Sequence, residues 1–138
     1  MKMKHAELIA RLEAAEVGSR EVDVEIWLEL TPGATRQQSV VKSNKGLWPD
    51  YTIDETRQNG VLITVPNVTT SLDAALALAE RVLPDVQFNM ATGVKGGLPW
   101  VQCYPFPQEE DNYLDAEAAA TLPLALCIAI LRALDANN

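Results

Sequence analysis

The residue types that most often carry catalysis are scarce in this chain. His5 is the only histidine among 138 residues, and the two cysteines are Cys103 and Cys127. Nucleophilic serine and cysteine sites depend on a histidine base, and zinc sites need several Cys or His ligands. We therefore expect no catalytic triad, no metal site and no cofactor, and we expect two buried free thiols. For the same reason, His5→Ala is expected to leave stability and any activity unchanged.

Two further patterns invite a chemical interpretation. The glycine-bearing segment 92–97 resembles a phosphate-binding loop only loosely, because a predicted strand follows it instead of a helix opened by Lys-Ser or Lys-Thr. It is predicted to be a hairpin loop with Lys95 at its tip. Carboxylate pairs such as Asp50 with Asp54 also occur, but paired-acid hydrolysis needs a fixed separation across a cleft that sequence spacing does not show. The sequence therefore favours a protein that is not an enzyme, without deciding the question.

Aromatic residues interleaved with prolines between residues 100 and 113 are the better candidates for a functional surface. Exposed Trp and Tyr side chains are frequent anchors of protein interfaces. The alternative is that these rings close one end of the hydrophobic core, and the same alternatives apply to the aromatic residues near position 50. The candidate contact residues are Trp48, Tyr51, Lys95, Trp100, Tyr104, Phe106 and Tyr113.

Charge excludes several classes of partner. Eleven basic and 19 acidic residues give a formal net charge of −8. Binding to a nucleic-acid backbone needs concentrated Lys and Arg, and an anionic membrane surface would repel this chain. The N-terminus lacks the apolar run of a secretion signal, and the apolar segment 122–131 is too short to span a bilayer. We expect a cytoplasmic protein that contacts neither nucleic acid nor membrane.

Periodicity predicts the main elements and a single domain over residues 1–138. Helices are predicted at 5–16, at 70–83 with Thr70 as its cap, and at 122–134 with Thr121 as its cap. A strand is predicted at 61–65, and a β-hairpin at 86–104 that turns at Gly96-Gly97. Because the last helix is apolar on nearly all sides, other elements must cover it. The predicted fold class is α+β, with a mainly antiparallel sheet of about four strands packed against helices in an α-β-α arrangement.

Three segments have patterns that fit more than one structure. Residues 21–30 alternate polar and apolar side chains as a strand does, yet Ser19 and the acidic residues that follow suit the start of a helix. A short strand is possible at 39–42. A strand at 52–56 would form a hairpin with 61–65 around Gln58-Asn59-Gly60, after a loop at 48–51.

The order of four motifs resembles a family of small phage and prophage proteins, some of which have an α-β-α sandwich domain. The motifs are LIARLEAAE (8–16), SREVDVEI (19–26), SLDAALALAE (71–80) and LPLALCIAILRAL (122–134), and residues 31–66 have no counterpart. Family members typically carry Ala-Thr-Pro before the last helix, whereas Leu122 here separates Thr121 from Pro123. The resemblance favours a helix at 19–29 and implies no known activity or catalytic residue.

Together these patterns predict a phage or prophage accessory protein of the bacterial host cytoplasm. It would act by binding a protein partner or a small ligand, and would self-associate. The alternatives are a small-molecule enzyme or ligand sponge, and a virion or assembly component or an inhibitor of host defence.

The predicted central role of the last helix can be tested by truncating its side chains. Leu126→Ala or Leu131→Ala should each lower the free energy of unfolding by about 2–5 kcal/mol, because each leaves a cavity in the core. Thermal and denaturant melts measure this loss. Melts unchanged by both substitutions would show that the helix lies outside the core.

Overall fold

The protein is described by a computed structural model over residues 4–42, 44–47, 49–93, 97–104 and 114–136, with the backbone alone for Asn44 and Tyr51. These residues form four α-helices and two antiparallel three-stranded sheets, which confirms the α+β class. The helices are α1 (Ala6–Ala14), α2 (Arg20–Glu29), α3 (Leu72–Val82) and α4 (Leu122–Ala136). The strands are β1 (Thr35–Val41), β2 (Tyr51–Gln58), β3 (Val61–Thr64), β4 (Gln87–Ala91), β5 (Trp100–Tyr104) and β6 (Glu117–Ala118).

The chain divides into two compact units. The first contains residues 1–22 and 67–138, and the second contains residues 23–66. The single domain expected from the sequence stays a prediction.

Helix α4 is the centre of the first unit. Every residue from 124 to 131 is buried, so the helix is covered on all sides rather than along one stripe. It packs against α1, α3, β5 and β6. The Thr121 hydroxyl accepts a hydrogen bond from the Leu124 amide at 3.4 Å, as predicted for a cap. Among the described residues, no helix is long and apolar enough to cross a membrane.

The second sheet, β4-β5-β6, covers α4 with one of its faces. Val101 and Cys103 are buried, while the intervening residues of β5 are more exposed, as the alternation in the sequence predicts. Phe88 and Met90 of β4 pair with these two buried residues. The predicted hairpin is therefore present, although Gly96 of its predicted turn lies outside the described residues.

The cap of α3 differs from the prediction by one residue. Asn67 to Thr70 form a turn in which the Asn67 carbonyl accepts hydrogen bonds from the amides of Thr70 and Ser71. The turn leaves Ser71 in an extended conformation, and its side chain accepts a hydrogen bond from the Ala74 amide at 3.2 Å. Ser71 is therefore the N-cap in place of Thr70, whose hydroxyl donates to the Asn67 carbonyl instead.

His5 is buried and links the start of α1 to the C-terminal end of α4. This position differs from the expectation that its side chain can be removed without effect. Its Nδ1 lies 2.7 Å from Oδ1 of Asp135, and its backbone amide donates to Oδ2 at 3.3 Å. Asp135 lies in the last turn of α4, where a negative charge is unfavourable for the helix dipole. The two donors of His5 therefore satisfy a buried carboxylate that would otherwise destabilise the C-terminal turn.

The structure assigns each of the segments that the sequence left open to a helix or a strand. Residues 20–29 form a helix, since the Ser19 hydroxyl accepts a hydrogen bond from the Val22 amide at 3.2 Å, and the buried residues recur at helical spacing. The Trp27 indole donates to the Thr56 hydroxyl at 2.8 Å. Strands β2 and β3 form the predicted hairpin, and Asn59 and Gly60 both adopt the positive φ of a tight type I′ turn. β1 is longer than predicted, and Tyr51 begins β2 instead of closing a loop.

Removing the His5 side chain should destabilise the first unit. His5→Ala leaves the buried Asp135 carboxylate without its ring donor, so we expect the free energy of unfolding to fall by about 1–3 kcal/mol in denaturant melts. The double variant His5→Ala/Asp135→Ala should recover part of this loss, because no carboxylate then remains unsatisfied. A single variant as stable as the wild type would contradict this role for the pair.

Candidate functional site

The outer face of the β4-β5-β6 sheet is the surface that best fits the predicted contact residues. Side chains alternate along a strand, so Trp100, Gln102 and Tyr104 lie on the face opposite buried Val101 and Cys103. Their partners in register on β4 and β6 share this face. We call it the aromatic face, and its members are Gln87, Asn89, Ala91, Trp100, Gln102, Tyr104 and Ala118.

A short hydrogen-bond network orients the polar groups of this face. The Tyr104 hydroxyl donates to Oε1 of Gln102 at 2.9 Å, and Nε2 of Gln102 donates to the Leu114 carbonyl at 3.1 Å. Trp100 is 36% exposed at the other end of β5. The aromatic face therefore presents the indole ring of Trp100 and the phenol ring of Tyr104, whose hydroxyl is hydrogen-bonded to Gln102. Amide side chains lie between and beside the two rings.

The composition of the aromatic face differs from that of the whole chain. None of its seven residues is ionisable near neutral pH, whereas 22% of the chain is Asp, Glu, Lys or Arg. Depletion of charge together with enrichment of Trp and Tyr is typical of the centre of protein interfaces. This face can hydrogen-bond through amides and a hydroxyl, and it can stack or pack through two rings.

The structure brings together two of the seven predicted contact residues, Trp100 and Tyr104. The backbone of Tyr51 lies in the second unit, where it pairs with Val41. The remaining four, Trp48, Lys95, Phe106 and Tyr113, lie outside the described residues.

Sequence reasoning missed the amides of β4, although they lie beside the predicted aromatic residues. Asn89 is paired with Gln102, and Gln87 with Tyr104. The polar-apolar alternation of β4 was visible and placed both amides on one face. The sequence did not reveal the register between β4 and β5, because the connection between these strands is too long to determine which residues lie opposite one another.

A cleft of about 160 Å³ lies on the other side of the same sheet, beside α4. Its polar lining includes Glu117, whose Oε1 lies 2.9 Å from Nε of Arg132. Burial raises the pKa of Glu117, although the adjacent Arg132 guanidinium opposes the shift. Arg132 also reaches Glu13 at 3.7 Å. Glu117 and Arg132 are therefore paired with each other, while Asp115 adds a second carboxylate to the lining. The volume of the cleft is below the roughly 300 Å³ of common ligand pockets.

Both thiols are free and buried, as predicted. Within the described ranges, no group of three or more His, Cys, Asp or Glu residues is placed to hold a metal ion.

Comparisons with protein-family models, with curated proteins and with solved structures find no match to this chain. The resemblance to small phage and prophage proteins accordingly remains a hypothesis that rests on the four sequence motifs alone.

The protonation of Cys103 gives a test of its buried position beneath the aromatic face. Burial raises the pKa of its thiol to about 11, so on the order of one molecule in a thousand carries a thiolate at pH 8. In a Cys127→Ser variant, we expect thiol-specific reagents to modify Cys103 very slowly in the native state and rapidly in denaturant.

Serine suits this test because the Cys127 thiol donates to the Val68 carbonyl at 3.3 Å, and a hydroxyl keeps that donor. The rate of Cys103 modification is measured from the absorbance of the coloured leaving group that the reagent releases. Modification of the native variant as fast as that of a small free thiol would contradict the buried position of Cys103.

Proposed function

We propose that the protein is a phage or prophage accessory protein that binds a protein partner through the aromatic face. The observation that carries the proposal is a sheet face with two aromatic rings and no charge, on a chain with a net charge of −8. The four motifs shared with small phage and prophage proteins support the biological setting, the cytoplasm of a bacterial host.

The chemistry of the face defines the kind of partner. Trp100 offers a ring that a partner can bury. The amide of Asn89 can bond to backbone or amide groups, and the amide of Gln102 has one further proton and one further lone pair beyond its bonds to Leu114 and Tyr104. Because no charged side chain lies on the face, a strongly charged partner surface would lose its own hydration without gaining an ion pair. A matching partner presents a flat, neutral surface with an apolar centre.

The same geometry favours binding a protein over a small ligand. A flat sheet face buries little of a small molecule, whereas small-ligand sites are concave. The cleft beside α4 is small, and its Glu117 and Arg132 are engaged with each other.

Truncation of Trp100 tests the proposal. We expect Trp100→Ala to weaken partner binding about 30-fold, which corresponds to the ~2 kcal/mol of an interface hot spot. Wild-type and variant proteins are used to capture partners from lysate of a bacterial host, and the captured protein is then purified and titrated by calorimetry.

Val17→Ala is the matched control, because Val17 is an exposed apolar residue of the same unit that does not lie on the aromatic face. It should bind as the wild type does. Because Trp100 is partly buried, Trp100→Ala is expected to melt at a lower temperature, and thermal melts check that both variants are folded at the temperature of the titration. Equal affinity of Trp100→Ala and wild type for every captured protein would overturn the proposal.

A further inference from the structure

Strand β3 is an outer strand of the β1-β2-β3 sheet, and its side chains are unusually apolar for that position. Val61, Leu62 and Ile63 are 57%, 40% and 38% exposed, and Thr64 completes a strand without charge. Among the described strands, only β2 pairs with β3. Natural proteins usually protect a sheet edge with charge, proline or a bulge, and none of these lies within β3.

The backbone of β3 has hydrogen-bonding groups that point away from its neighbour. The Val65 amide donates to the Asp54 carbonyl at 2.9 Å, which identifies that pair as hydrogen-bonded. Hydrogen-bonded and non-bonded pairs alternate in an antiparallel ladder, so Ile63 and Val61 also face β2. The amides and carbonyls of Leu62 and Thr64 therefore face outward, ready to pair with another strand.

The opposite edge of the sheet differs from β3. Strand β1 carries a charge at Arg36, whose guanidinium lies 3.2 Å from Oδ1 of Asp54. Its central residues are polar, with Gln37 and Gln38 beside Ser39. Of the two edges, β3 is the one suited to strand addition.

We propose that β3 pairs antiparallel with β3 of a second copy of this chain, about a twofold axis at Ile63. In this register Leu62 of each copy exchanges hydrogen bonds with Thr64 of the other, giving about four main-chain bonds. The two Ile63 side chains meet across the axis as a non-bonded pair, where side chains approach most closely. The β1-β2-β3 sheet of one copy and the β1-β2-β3 sheet of the other then form one continuous six-stranded sheet across the dimer. This surface lies in the second unit and does not depend on the aromatic face.

Charge identifies a second copy as the occupant. Two chains of charge −8 repel each other except where their contact surfaces are neutral, and β3 is neutral. On β2, Glu55 lies beside Thr64 and Arg57 lies beside Leu62. Each cross-dimer row of side chains therefore runs from Glu55 of one copy to Arg57 of the other. The twofold register places opposite charges at the two ends of each of these rows, and within β2 and β3 no like charges face each other across the axis.

The size of the contact predicts a weak, concentration-dependent dimer. A pair of four-residue strands buries less area than a standard stable interface. In sedimentation velocity of the full chain, we expect the monomer to convert to dimer over about a hundredfold rise in concentration. Added salt should favour the dimer, because it screens the repulsion between the acidic chains.

Lysine substitutions at the two sheet edges test which edge is used. Ile63→Lys should abolish the dimer, since it places two positive charges at the axis. Val40→Lys is the matched control, because Val40 is an exposed residue of β1 and the substitution changes the charge equally. It should dimerise as the wild type does.

Amide hydrogen exchange of the wild-type chain keeps the test independent of how the variants fold. The amides of Leu62 and Thr64 should exchange more slowly as concentration rises. A wild-type chain that stays monomeric at all concentrations, or a dimer that Val40→Lys disrupts and Ile63→Lys does not, would overturn the proposal. So would exchange at Leu62 and Thr64 that does not respond to concentration.

Discussion

The burial of α4 is the constraint on which the first unit depends. A helix whose residues 124–131 are all buried needs neighbours on every side, and α1, α3, β5 and β6 supply them. Its few polar residues lie toward the C-terminal end, and each has a partner from a covering element. His5 precedes α1 and binds Asp135, while Glu117 of β6 binds Arg132. The apolar part of α4 thus packs against the surrounding elements, and the polar residues near its C-terminal end form specific pairs with them.

The same constraint explains why the aromatic face exists. A three-stranded sheet that covers a helix uses one face for packing and leaves the other to solvent or to a partner. In β5 this division falls between Val101 and Cys103 on one side and Trp100, Gln102 and Tyr104 on the other. If this face were exposed only to solvent, charged residues would suit it, and such residues make up 22% of the chain. The aromatic residues at these positions match the composition that is enriched at the centre of protein interfaces.

Local periodicity made the central elements predictable. The continuous apolar run of α4 and the two-residue alternation of β5 are visible within a few residues, and both are present in the structure. The alternation of residues 21–30 fits a strand, so local pattern alone did not decide the form of this segment. The structure has a helix there, which begins at the Ser19 cap and buries a stripe that includes Asp23. The role of His5 could not be predicted, because its partner lies 130 residues away and a single pair leaves no periodic signal. The amides of the aromatic face needed a register that the sequence does not specify.

Net charge links the two proposed surfaces, although they lie in different units. With 19 acidic residues against 11 basic ones, two copies of the chain repel each other at low ionic strength. Association is then favoured only where charge is locally absent, and both the aromatic face and β3 meet that condition by different means. On the aromatic face, amides and rings replace charges and offer specific hydrogen bonds. On β3 most side chains are aliphatic, so the backbone supplies the hydrogen bonds. Backbone pairing depends on the shape and register of the partner strand more than on its sequence. A neutral edge of this kind suits a second copy of the chain, while the amide-rich face suits a partner with its own matching groups.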